Sequence, residues 1–117
     1  MEYRPPDGTC NPYLAMAAML MAGVDGIINK IDPTRAGFGP FEGNVFELPL
    51  EKRPAIQGLP TTLEEAALEL KKDHDFLLAG QVFNQEFIDY WISTRIKEHQ
   101  DVASRPHPYE IEMYYDL

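Results

Sequence analysis

Few side chains in this sequence are of the kinds that do chemistry, and their spacing decides how far each can be taken. There are three histidines, His74, His99 and His107, and no two of them share a face with a nearby carboxylate at a spacing that suits a metal ion. His74 lies on or beside an apolar helical stripe and reads as a packing histidine. His99 falls near a helix end and reads as a partner for the helix dipole, while His107, just ahead of Pro108, reads as structural. The single cysteine, Cys10, reads as a small buried apolar residue and not as a nucleophile. The glutamates of EEAALEL read as a solvated helix face. Tyr109, Tyr114 and Tyr115 form an aromatic group that suits packing or an interface better than base stacking, because the chain is acidic. No nucleophile–base pair, phosphate-cradling glycine loop or metal cluster emerges, so unrelated stand-alone enzyme chemistry finds no support.

The elements that would position these groups follow from composition and punctuation. At 117 residues, 44% of them apolar, the chain has the length of one domain. Its formal charge of −9, from 19 acidic and 10 basic residues, repels phosphate backbones and argues against nucleic-acid binding. A single cysteine closes no intramolecular disulfide, and MEYRPPDG has no apolar core behind a basic start. The longest apolar run falls far short of the ~20 residues of a membrane span. These features predict a soluble, cytoplasmic protein that does not enter membranes.

Residues 1–5 read as a short extended segment stopped by Pro5 and Pro6, and PPDG as a turn. Asn11 is a good N-cap with Pro12 at the first helical position, which opens a helix over 11–30 that Asp32-Pro33 stops. That helix is apolar without interruption from Tyr13 to Ala22. Residues 33–60, rich in proline and glycine, read as a long loop. A helix over 61–79 starts at Thr61 or Thr62, with Glu64 or Glu65 completing a capping box. It carries Leu63, Ala66, Ala67, Leu70, His74, Leu77 and Leu78 on one face and ends at Gly80. A second amphipathic helix over 84–99 has Ile88, Trp91, Ile92 and Ile96 as its stripe. The tail, 106–117, alternates like a strand, yet His107-Pro108 resembles a helix entry; periodicity alone leaves both open. A helix apolar on every side must be covered on every side. Two amphipathic helices and a loop hardly do so, and the chain reads as part of something larger.

The order EYR, PDGTCNPYLAMAAMLMAGVDGIINKI, NVFELP, TTLEEAALELKKDHDFLLAGQVF and RPHPYEIEMYYDL resembles the C-terminal part of type I (bacterial) glutamine synthetase, over nearly the whole chain. The resemblance implies a mainly α segment: the C-terminal helical part of that family's α/β catalytic domain, with at most one short strand at the N-terminus and a long central loop. It implies an ATP-dependent ligase that joins ammonia to glutamate through γ-glutamyl phosphate, with Mg2+ or Mn2+ and ATP as cofactors of the full-length enzyme. It further implies a homo-oligomer of two stacked six-membered rings, in which residues 106–117 form a helical arm; on that ground 108–115 are expected to be helical.

Within the resemblance, Glu2 matches a metal ligand and Arg4 matches an arginine that contacts substrate and the transferring phosphate, catalytic and substrate-binding at once. Two apart on a strand they face the same way, so a carboxylate meets metal where a guanidinium grips phosphate or carboxylate. The motif's first arginine, and the glutamates and histidine that complete the metal sites, belong to family segments upstream of Glu2. The chain alone is therefore expected to be inactive and to hold no cofactor. Phe46 stands where some relatives carry an adenylylated tyrosine, which predicts no such regulation there. The alternative is a non-catalytic helical interaction or oligomerisation module derived from the same family.

Overall fold

Helix starts in this chain are set by short polar side chains just ahead of apolar stretches, and the computed structural model realises four of them, at Asn11, Thr62, Asn84 and His107. The structure describes residues 5–40, 44, 47–49 and 58–116. Two units divide the chain, residues 1–58 and residues 59–117. No strand occurs among the described residues, as a mainly α fold requires.

In the first unit, Asp7 Oδ1 accepts hydrogen bonds from the Thr9 hydroxyl at 2.6 Å and the Thr9 amide at 2.8 Å. These bonds, the hydroxyl's foremost, hold the Asp7 carboxyl below its ordinary value. Helix α1, Pro12–Ile28, then begins with Asn11 Oδ1 accepting from the amides of Tyr13 and Leu14. It ends in a Schellman turn: the Lys30 amide reaches Ile27 O, the Ile31 amide reaches Gly26 O, and Lys30 takes the left-handed conformation at φ 51°. Met21 is buried, but Tyr13, Leu20 and Ile27 are 79%, 67% and 78% exposed. The sole charged residue of α1, Asp25, accepts from the Asn29 side-chain amide at 2.8 Å. Cys10 is exposed, contrary to the buried position its residue type suggests, because it falls in the polar turn ahead of α1 and not on the helix. The described part of 33–60 holds turns and irregular backbone without α-helix or strand.

The second unit opens with α2, Leu63–Lys72, capped by Thr62, whose hydroxyl accepts from the Glu65 amide at 3.1 Å. The Glu65 carboxylate reaches back one residue further than a standard capping box, to the amide and hydroxyl of Thr61, both at 2.8 Å. The bond from the Thr61 amide is the main cause that holds the Glu65 carboxyl below its ordinary value. A carboxyl depressed in the folded state stabilises it above the unfolded value and stops doing so as pH falls through the folded one. Acidification through the carboxylate range is therefore expected to loosen this cap. The protection of the Thr61 amide, corrected for its intrinsic exchange rate, should fall on that limb in the parent and lose this pH dependence in Glu65→Ala; a variant with the parent's profile would refute the assignment.

Where spacing predicts one helix over 61–79, the backbone breaks at Asp73, whose φ of −138° and ψ of 94° are extended. A short α3, Asp75–Leu78, follows His74, and a 3-10 turn spans Ala79–Gln81. Gly80 takes φ 65° in that turn, a conformation costly for a side chain with a Cβ. Helix α4, Gln85–Ala103, starts with Asn84 Oδ1 accepting from the Phe87 amide at 2.7 Å. It packs against α2. Ile88, Ile92, Ala67, Leu77 and Phe83 are buried in this unit, and the rings of Phe83, Phe87 and Trp91 follow one another at 6.0 and 5.9 Å. Helix α5, Pro108–Tyr114, resolves the tail as helical. His107 supplies a capping box there: its Nδ1 accepts from the Tyr109 amide, and Glu110 accepts from the His107 amide.

Candidate functional site

Glu2 and Arg4, the pair singled out for metal and substrate, lie outside the described residues, as does Phe46. What is described next to that pair is the turn over residues 7–10, which hands the chain from Pro5 and Pro6 to the N-terminus of α1. A polar side chain at Asp7 and a capped helix start at Asn11 thus fix the chain direction immediately after the expected strand.

The three histidines are all placed. The part-buried His74 has Nδ1 2.9 Å from the Leu70 carbonyl, while its Nε2 faces the Gln85 side-chain amide. Gln85 in turn donates to Asp89 Oδ1 at 2.9 Å. His99 Nε2 stands 3.7 Å from the Glu64 carboxylate and ties the last part of α4 to the first turn of α2. His107 caps α5, as above. His74 and His107 are accounted for by packing and capping, in keeping with their spacing, but His99 is not the dipole partner its place suggests: α4 runs on to Ala103 with no basic residue in its last turn, and the imidazole faces Glu64 instead.

Two groupings escaped the reading of the sequence. Arg95 lies with its guanidinium 4.6 Å above the Trp91 ring and donates to Glu98 at 2.8 Å, with a buried Nε. The His74–Gln85–Asp89 chain links the helix break to α4. The i, i+4 spacings of Trp91 with Arg95 and of Gln85 with Asp89 were the available signals. The groove between the start of α2 and the end of α4, lined by Leu63, Glu98, His99, Asp101 and Val102, is open.

Hard divalent cations need several oxygen ligands held together. Among the described residues no three histidine, cysteine, aspartate or glutamate side chains meet that need, so these residues by themselves do not fit such an ion. No helix among them is long and apolar enough to cross a membrane.

The family model of the glutamine synthetase catalytic domain matches residues 1–114. The chain belongs to that family. It is 47% identical over 117 residues to a glutamine synthetase of Aquifex aeolicus, and 46% identical over 118 residues to one of Frankia alni, in each case over 100% of this chain. A glutamine synthetase of Haemophilus influenzae is 47% identical over 115 residues, 98% of this chain. The chain spans 24% of the length of each of these curated relatives, at their C-terminal end. The family expected from NPYLAMAAMLMAG and the HPYEIEMYYDL tail is thereby borne out, as is the mainly α character of this part of the synthetase catalytic domain.

Proposed function

We propose that this chain forms the C-terminal part of the catalytic domain of an ATP-dependent glutamate–ammonia ligase. The observation that carries the proposal is the family match over residues 1–114, joined to 47% identity along the whole chain with a glutamine synthetase. In this reading glutamate is phosphorylated by ATP to γ-glutamyl phosphate, and ammonia then displaces phosphate. Arg4 grips the substrate carboxylate or transferring phosphate with a two-pronged hydrogen bond. Glu2 would be one ligand of a divalent cation, Mg2+ or Mn2+, which would neutralise charge on phosphoryl oxygens. Phosphoryl transfer is catalysed by positioning and charge neutralisation, so two residues without their remaining partners are insufficient, and the chain alone is inactive. The assembled enzyme is a cytoplasmic homo-oligomer of two six-membered rings to which residues 106–117 contribute an arm.

The test is glutamine formation from glutamate, ammonia and ATP. The chain alone should give none, and steady turnover by it would overturn the inactivity. A chimera in which this chain replaces the matching segment of the Aquifex aeolicus synthetase should restore synthesis. A chimera that folds and assembles but makes no glutamine would overturn the ligase reading.

A second reading, a non-catalytic helical interaction module, is favoured by the exposed apolar side chains of α1 and by exposed Tyr109, Ile111 and Tyr115. Size exclusion with light scattering decides it: a stable defined oligomer supports the module, and a clean monomer counts against it.

A further inference from the structure

His74 sits where α2 breaks, and its two ring nitrogens have different partners. The Leu70 carbonyl can only accept, so Nδ1, 2.9 Å away, carries a hydrogen. Nε2 is 3.1 Å from Gln85 Nε2 and 3.2 Å from Gln85 Oε1. A donor and an acceptor of one amide are thus within reach of the same nitrogen. When His74 is neutral, Nε2 accepts from the Gln85 amide N–H. When the ring takes a proton from solvent at Nε2, that nitrogen donates to Gln85 Oε1 with no heavy atom displaced. The other hydrogen of the Gln85 amide serves Asp89 Oδ1 at 2.9 Å in both states.

We propose that Gln85 is an amide buffer for the α2–α3 joint: it holds His74 in either protonation state while its other amide hydrogen stays on Asp89. The joint therefore stays closed across the range in which imidazoles change charge. The charged groups nearest to it along the chain are Glu86 and Asp89 on α4, Lys71, Lys72 and Asp73 at the end of α2, and Asp75 at the start of α3. The proposal is independent of the ligase reading, since it concerns how residues 59–117 hold their shape.

The reporters are the Leu77 amide, which donates to His74 O, and the Phe83 amide, which donates to Leu77 O. In the 117-residue chain their hydrogen-exchange protection, corrected for intrinsic rate, should differ by less than about twofold between about pH 8 and about pH 5. Gln85→Met removes both amide atoms, so it should lower protection in both states, and about fivefold more on the acid side, where the group left without a partner is charged. Gln85→Glu accepts only, so it should pair with the charged ring and lose about fivefold on the alkaline side. Opposite pH dependences in the two variants support the buffer. The same dependence in both, no dependence in either, or a tenfold acid loss in the parent overturns it. Should a variant fail to fold, nitrogen chemical shifts of His74 in the parent still decide: the neutral ring must carry its hydrogen on Nδ1, and an Nε2–H tautomer refutes the proposal.

Discussion

Ile88→Ala is expected to unfold residues 59–117 under conditions in which the parent chain is folded. Ile88 is 2% exposed, the least exposed of the buried apolar side chains on α4, and it sits on the helix that packs against α2. Truncating a buried isoleucine to alanine removes transfer free energy and leaves a cavity, together about 2–5 kcal/mol. A unit of this size has a total stability of only about 3–9 kcal/mol, at roughly 0.05–0.15 kcal/mol per residue. A single truncation thus consumes most of the margin. Tyr90→Ala, two residues along the same helix and 66% exposed, should stay within about 0.5 kcal/mol. Urea titration followed by circular dichroism separates the two: the Ile88 variant should show a collapsed or absent transition and the Tyr90 variant a near-parental midpoint. Equal midpoints would mean that this face of α4 does not carry the core.

The second large effect is expected under the proposed function, at Arg4 and Glu2. Arg4→Lys replaces a planar fork by a point charge and loses the paired contact with carboxylate or phosphate. If that contact stabilises charge that develops during phosphoryl transfer, kcat in the synthetase chimera should fall by about 100- to 1,000-fold, as for the loss of one well-placed donor in other enzymes. Glu2→Gln keeps the shape but removes a charged ligand, so its signature differs: a raised requirement for Mg2+ or Mn2+, with activity partly regained at high metal concentration. Either variant within threefold of the parent, with unchanged metal dependence, would remove that residue from the site.

What the sequence disclosed divides along the range of the interactions. Asn11, Thr62 and Asn84 cap helices through atoms two or three residues away, and such contacts are written locally. Ile88 and Ile92 were legible because burial follows helical spacing. The break after Lys72 was not, because the stripe of leucines continues across it. What accompanies the interruption is a histidine whose partner, Gln85, lies eleven residues on and is met only after the chain has doubled back. In the tail, Tyr109, Ile111, Met113 and Tyr115 alternate as in a strand, but the reciprocal bonds of His107 and Glu110 set a helix going. Glu2 and Arg4 drew meaning from the family motif alone, since a carboxylate and a guanidinium two apart are common in any chain.

Helix α1 carries one charge in 17 residues and shows most of its apolar side chains to solvent. A substitution such as Leu20→Ser would therefore remove little packing within this chain, and its folding would register the change only faintly. In the full synthetase the same position would meet whatever covers it. Under the proposed function, variation along α1 would be filtered by the fit to the rest of the enzyme, whereas variation at Ile88 or Ile92 is filtered by folding itself. Two helices of one short chain would then answer to different selective pressures, and a survey of tolerated substitutions scored on the chain alone would understate the constraint on α1.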